Sequence, residues 1–249
     1  DWKVIGTGMF NASTGRTSIV LRNVSGYVGF WSMNGTTITG FTGFGAISND
    51  WTFVGAGDFD GDGTDDILWR YKDGTLVIWK MLNGAIVSSP TIGTLNTDWL
   101  ISGVADFNGD GKADILLRYI PDGSTYLWFM NGATITSGAG LGTVNPAWTI
   151  AAVGDLNNDG RSDIIWRNSD GTGYVWLMNG ATIAGTGGLG VIPQAYRFEG
   201  TGDYDGDTKA DIALRNVVTG DAVTWKMNGA AVVSGTSFGA VPLTYHLVQ

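Results

Sequence analysis

The sequence has no cysteine, one histidine and one glutamate among its 249 residues. Without cysteine the fold is not stapled by disulfides, and the redox compartment stays open. The single histidine, His246, stands near the end of the chain and leaves no Ser-His-Asp constellation to propose. The single glutamate, Glu199, means that a glycosidase-type carboxyl pair would have to come from aspartates. Basic residues are few as well: 14 Lys plus Arg, scattered along the chain, give no footprint for nucleic acid. No apolar run reaches the length of a membrane span, so no membrane insertion is expected, and no stretch keeps a helical period. There is no signal peptide and the chain opens directly on its first repeat, so the expectation is a mature or excised fragment.

What is abundant is aspartate in short, spaced groups. In "DFDGDGTDDILWR", residues 58–70, five aspartates fall within nine residues. Carboxylates so crowded repel one another unless something positive sits among them. Counted from Asp58, side-chain oxygens fall at positions one, three and five (Asp58, Asp60, Asp62), Gly63 takes position six, Thr64 offers a carbonyl at seven and Asp66 closes at nine. That is an oxygen cage for a hard cation: calcium takes about six to eight oxygens, and glycine at the sixth position permits the sharp turn. An EF-hand would need an acidic residue at position twelve between helices, where this chain has Trp69 in a β-branched and aromatic run. The pattern returns in "DFNGDGKADILLR" from Asp106, "DLNNDGRSDIIWR" from Asp155 and "DYDGDTKADIALR" from Asp203, at intervals of 48, 49 and 48 residues. Chance turns do not keep such a period.

Other residues keep the same beat. An aromatic opens each unit (Trp2, Trp51, Trp99, Trp148, Tyr196, then Tyr245), an arginine ends each second segment (Arg22, Arg70, Arg118, Arg167, Arg215), and Asn-Gly recurs at Asn34, Asn83, Asn131, Asn179 and Asn228. Asn-Gly and Asp-Gly favour the positive φ of tight hairpins, and the runs between them are rich in Val, Ile, Thr and Trp. In the second unit, "WTFVGAGDF", "DILWRYK", "TLVIWKML" and "AIVSSPTIG" read as four antiparallel strands. In "GYVWLMNG" Tyr174, Trp176 and Met178 on one side and Val175 and Leu177 on the other are all apolar, so this strand is covered on both faces. Four-stranded units of this length, sandwiched between copies of themselves, predict an all-β fold: a β-propeller of five blades, each of four antiparallel strands. The repeats run 1–49, 50–97, 98–146, 147–194 and 195–243, within one propeller domain over 1–249. Residues 244–249 repeat an opening strand and are expected to close the ring; the alternative is a piece of a longer array.

The motif "GDFDGDGTDDILWR" resembles the FG-GAP repeat, also called the VCBS-type or integrin-α-like repeat, across nearly the whole chain. The resemblance implies propeller blades with a calcium loop between the first and second strands, here in blades two to five. Carried over residue by residue, the ligands would be Asp58, Asp60, Asp62, Thr64 and Asp66; Asp106, Asn108, Asp110, Lys112 and Asp114; Asp155, Asn157, Asp159, Arg161 and Asp163; and Asp203, Asp205, Asp207, Lys209 and Asp211. Thr64, Lys112, Arg161 and Lys209 would act through their backbone carbonyls only. The first unit reads "MFNASTGRTSIVLR", with Met9 and Ser13 in place of carboxylates, so four calcium sites are expected and none in repeat one. Thr208 replaces the loop glycine of the last repeat, a strained choice at positive φ.

Four divalent ions would bring the formal charge from −9 to about −1, so the acidity does not call for a basic partner. Calcium at millimolar levels points outside the cell, and so does the resemblance, giving a secreted or cell-surface expectation. Asn11-Ala12-Ser13 and Asn23-Val24-Ser25 match glycosylation acceptors. The arginine series either lines a binding surface or pairs with carboxylates between blades. The series Trp31, Trp79, Trp128, Trp176 and Trp225 is expected to pack between blades, leaving Trp2, Trp51, Trp99 and Trp148 as candidates to stack on sugars. No catalytic group breaks the repeat symmetry. The leading expectation is a calcium-stabilised binding or adhesion module for a glycan or an extracellular protein, through repeated weak contacts. A polysaccharide-acting enzyme's propeller and a non-binding spacer are the alternatives.

Overall fold

Each Asn-Gly pair reverses the chain, and the φ angles say how. Gly35, Gly132, Gly180 and Gly229 lead their turns with φ between 58° and 60°, the II′ pattern, while Asn83 and Gly84 both take positive φ, the I′ pattern. Both twist as paired strands require. The resulting fold, a computed structural model that describes residues 1–243, is a five-bladed β-propeller with blades of antiparallel strands in chain order. Blade one is β1 (Trp2–Gly8), β2 (Ser18–Asn23), β3 (Tyr27–Asn34) and β4 (Thr37–Ala46). Blade two is β5 (Trp51–Gly57), β6 (Asp66–Tyr71), β7 (Thr75–Leu82), β8 (Ala85–Ser88) and β9 (Thr91–Thr94). Blade three is β10 (Trp99–Ala105), β11 (Asp114–Tyr119), β12 (Ser124–Asn131) and β13 (Thr134–Thr143). Blade four is β14 (Trp148–Gly154), β15 (Asp163–Asn168), β16 (Thr172–Asn179) and β17 (Thr182–Val191). Blade five is β18 (Tyr196–Gly202), β19 (Asp211–Asn216), β20 (Asp221–Asn228) and β21 (Ala231–Ala240). The expected closing segment, 244–249, lies outside the described residues.

Blade two corrects one expectation. "AIVSSPTIG" is not one strand: β8 and β9 both pair with β7, separated at Ser89 and Pro90. Proline has no N–H to give to a ladder, so the fourth-strand position breaks there.

The core lies between blades as well as within them. Ile67 and Trp69 of β6 belong to the apolar layer shared with blade one, and Leu68 between them belongs to the layer shared with blade three. Likewise β15 sends Ile164 and Trp166 towards blade three and Ile165 towards blade five. This two-sided burial explains why successive residues in the middle of the second strands, as in Ile67–Trp69 and Ile164–Trp166, are apolar on both faces. First strands pack in chain order, β1 on β5, β5 on β10, β10 on β14 and β14 on β18, and among the described residues no comparable packing joins β18 to β1. The outer faces of the end blades show it. Phe10, Phe59, Phe107 and Leu156 are each 0% exposed beneath the following blade, whereas their counterpart Tyr204 is 50% exposed. On blade one Trp2 sits edge-on to Tyr27 and Phe41, with all three exposed.

The arginine series has a different role from either expectation. Arg70 donates from Nη1 to Trp99 O at 2.7 Å and from Nη2 to Leu95 O at 3.1 Å and Asn96 O at 2.9 Å. Arg22 holds Ile47, Ser48 and Trp51 carbonyls, Arg167 holds those of Ile192, Pro193 and Tyr196, and Arg215 holds those of Val241 and Pro242. Arg118 does the same with Val144, Asn145 and Trp148, and lies 5.2 Å above the Trp166 ring. Among the described residues these partners are main-chain carbonyls of the segment that follows each blade, not carboxylates, and Arg118 also donates to Gly123 O and Thr125 Oγ1 of its own blade. Replacing Arg70 by leucine is therefore expected to cost about 2–3 kcal/mol in urea unfolding, through carbonyls left without their charged donor. A loss under about 0.5 kcal/mol, the scale of an ordinary surface change, would mean that the clamp does not hold the crossover.

Candidate metal centres

The four acidic loops share one hydrogen-bond plan. The first aspartate faces a ring of amides: Asp58 accepts from Gly61, Asp62 and Gly63, Asp106 from Asn108, Gly109 and Gly111, Asp155 from Asp159 and Gly160, and Asp203 from Gly206, Asp207 and Thr208. The third residue accepts from the amide of the fifth, and the fifth from that of the seventh, where Thr64, Lys112, Arg161 and Lys209 donate. The backbone reaches this form only by turning left-handed at positions four and six. Glycine supplies most of these, Asn158 has φ 59°, and Thr208 has φ 71° where the other loops use Gly63, Gly111 and Gly160. The strained threonine stands as the sequence predicts.

The ninth residue joins loop to sheet. Asp66 accepts from Phe59 N at 3.3 Å and Met81 N at 2.8 Å, and Asp114, Asp163 and Asp211 bridge the matching amides of Phe107 and Met130, Leu156 and Met178, and Tyr204 and Met227. All four are essentially fully buried. Burial pushes the Asp66 carboxyl up to about 7, Asp114 to about 6 and Asp163 to about 7, with the amide bonds opposing and the neighbouring aspartates adding to the rise.

Carboxylate oxygens of Asp58, Asp60 and Asp62 lie within 4.8 Å of one another, and so do those of Asp203, Asp205 and Asp211. Asp66 stands outside the first group and Asp207 outside the second. In blades three and four the third-position amides, Asn108 and Asn157, instead donate to Asp110 at 3.2 Å and Asp159 at 3.1 Å. Thr64 Oγ1 is buried with no hydrogen-bond partner among the described residues. Donors that are all oxygen, crowded and partly orphaned suit a hard divalent cation.

Three neighbours of the loops were not legible in the motif. Lys80 pairs with Asp60, and Lys226 pairs with Asp205 and, at 3.4 Å, with Asp207. Asp65 accepts from Met9 N at 2.7 Å while its own amide donates to Met9 O at 2.8 Å. In the other loops that amide, from Ala113, Ser162 or Ala210, reaches the first aspartate's carbonyl of the preceding blade at 2.7 Å. So where blade one lacks its first carboxylate, blade two supplies one from across the interface.

The third-strand tryptophans Trp79, Trp128, Trp176 and Trp225 do pack in the interblade layers. Of the first-strand aromatics, Trp2 is exposed, and Trp51, Trp99 and Trp148 are half-buried, Trp51 against Tyr71 and Trp99 against Tyr119. Repeat symmetry breaks beside Pro90, where Ile47, Trp51, Trp69, Val77, Trp79 and Ser89 surround a cleft of about 250 Å³.

Compared with known proteins, the chain matches a family model described as FG-GAP-like repeat three times, over residues 58–117, 106–166 and 155–214. Each match starts at the first aspartate of one loop and runs into the second strand of the next blade. No curated protein matches the sequence. Among solved structures, Raptor of Chaetomium thermophilum is similar with a TM-score of 0.51 at 9% identity, over 95% of this chain and 21% of that one. The C-terminal WD40 domain of Sif2 follows at 0.45 and 13% identity, over 90% of this chain and 67% of that one. The chain thus spans about a fifth of the length of Raptor, and the likeness is one of fold.

Two outcomes are expected from the loops. Thr208→Gly should raise stability by about 1 kcal/mol by relieving a left-handed β-branched residue; a loss of stability would show that the threonine side chain is needed. The second concerns pH. A carboxyl whose folded pKa lies above its unfolded value keeps its proton longer in the folded state, so stability falls as pH rises between the two values. Protein stripped of divalent ions should therefore melt at steadily lower temperature from about pH 4 to about pH 7. A flat or rising melting temperature across that window would contradict burial that outweighs the amide bonds at Asp66, Asp114 and Asp163.

Proposed function

The chain belongs to the FG-GAP-like repeat family, and from that premise we propose that it is a calcium-stabilised binding or adhesion module working outside the cell. The observation that carries the reading is the convergence of Asp58, Asp60 and Asp62 on one spot of a loop whose hydrogen-bond plan recurs in three further blades. Calcium would be held by Asp58, Asp60, Asp62, the Thr64 carbonyl and Asp66, and by the matching residues of blades three to five. Bound there, it supplies positive charge to carboxylates that otherwise meet amides and, in blades two, four and five, a lysine or an arginine. The chain's own part is to hold the loop closed, so that Phe59, Phe107 and Leu156 stay seated under the next blade.

The ion is thus a brace, and recognition falls to other surfaces. The cleft beside Pro90 is the best supported of these, because tryptophan faces accept sugar rings or apolar side chains and because, among the described residues, no other blade has a split fourth strand. A glycan or an extracellular protein is the proposed ligand. No helix among the described residues is long and apolar enough to cross a membrane. A calcium-braced module also suits the outside of the cell, where calcium is at millimolar levels and weak sites are filled.

Thermal melting with and without chelator, followed by a glycan array in calcium, tests the reading. A clear drop in melting temperature on chelation, reversed by calcium, is expected. So is calcium-dependent retention of a limited set of glycans. An unchanged melt in chelator would remove calcium from the account, and an array without signal from well-folded, calcium-loaded protein would remove the glycan.

A further inference from the structure

The third position of the acidic loop varies, and a residue on the neighbouring strand varies with it. Blades two and five have Asp60 and Asp205 there, blades three and four Asn108 and Asn157, and blade one Asn11. The sixth residue of each third strand is Lys80 in β7 and Lys226 in β20, but Phe129 in β12, Leu177 in β16 and Ser32 in β3. Lysine occurs only where the loop has aspartate, and each lysine is ion-paired with that aspartate in its own blade. The two positions taken together are neutral in all five blades. The pairs lie at the water boundary, with side-chain exposures of 29% and 19% for Lys80 and Asp60 and 39% and 30% for Lys226 and Asp205. Position seven adds its own cations in Lys112, Arg161 and Lys209, so the balanced unit is the pair and not the whole loop.

We propose that Lys80 and Lys226 set the cation affinity of blades two and five, each occupying one oxygen of the third-position carboxylate so that the aspartate acts on a divalent ion much as the asparagine does in blades three and four. The inference rests on the calcium reading above. The three carboxylates at positions one, five and nine are common to all four loops, and a fourth would make two sites more anionic than the others. The lysines cancel that difference. They also supply a counter-charge that keeps those two loops formed when no metal is bound.

The test compares the parent chain with K80L/K226L, D60N/D205N and the variant carrying all four changes. Calcium constants are read by competition with a chromophoric chelator, and melting is recorded free of metal. Leucine is chosen because Leu177 already fills this place in blade four. Removing the lysines should tighten two of the four sites about tenfold, the scale of one nearby unit charge in a largely aqueous dielectric, and should lower the metal-free melting temperature. Removing the two carboxylates should weaken two sites by about the same factor. The fourfold variant should return to within about threefold of the parent and melt like it. Weaker or unchanged calcium binding in K80L/K226L overturns the proposal, since it would make the lysines supports of the carboxylate or bystanders. So does a fourfold variant bound more than about tenfold worse than the parent. If the parent itself takes up no calcium, the reading of the loops fails first and takes this proposal with it.

Discussion

A carboxylate buried at the first residue of each second strand, in blades two to five, is the constraint on which the rest depends. Asp66, Asp114, Asp163 and Asp211 each bind one amide of the acidic loop and one amide of the third strand, so three separate pieces of chain meet on a single side chain. Burying such a group as an anion is costly unless amides, a proton or a cation answer its charge. The amides answer part of it. In blades two and five the same loop also brings further carboxylate oxygens within 4.8 Å of one another, so the acidic loop and the core are one construction. The loop's second residue is the apolar plug under the next blade, and its carbonyl receives the next blade's turn, as Phe59 O does from Gly132 N at 2.7 Å. Anything that opens the loop also loosens an interface.

In blades two to five each second strand is thus fixed by a polar joint at either end, with an apolar stretch between. At its start the aspartate ties down the loop; at its end the arginine ties down the crossover to the next blade. The guanidinium suits the second task because its planar fork can serve two or three carbonyls at once and still lie over an aromatic ring, as Arg118 does above Trp166. Blade one keeps the arginine joint and gives up the acidic one. There Asp65 of the following blade, pushed up in pKa by its burial, binds the Met9 amide that faces it. The interface is preserved while the loop it borders has no carboxylate of its own.

Much of this was legible in the sequence, because the features involved are local and repeated. Turns announced by Asn-Gly, ligand-type residues at fixed offsets from Asp58, and strands apolar on both faces such as 173–178 need only short spacings to be recognised. What was not legible spans blades or strands. The Arg70 contacts reach 25 to 29 residues along the chain, and Met9 meets Asp65 at a separation of 56. Nothing in "TLVIWKML" marks Lys80 as the partner of Asp60, because the contact depends on how β7 passes the loop. Pro90 lies within "AIVSSPTIG", a segment whose composition reads as one strand; with no N–H to give at that point the strand splits, and a tryptophan-lined cleft lies beside the break.

The most direct measurement is anomalous X-ray scattering from crystals grown with calcium, collected at a long wavelength where calcium stands out. The account predicts four peaks, one within each loop beginning at Asp58, Asp106, Asp155 and Asp203, and none beside Asn11 in blade one. Loops that keep their shape with no peak among their aspartates would contradict it.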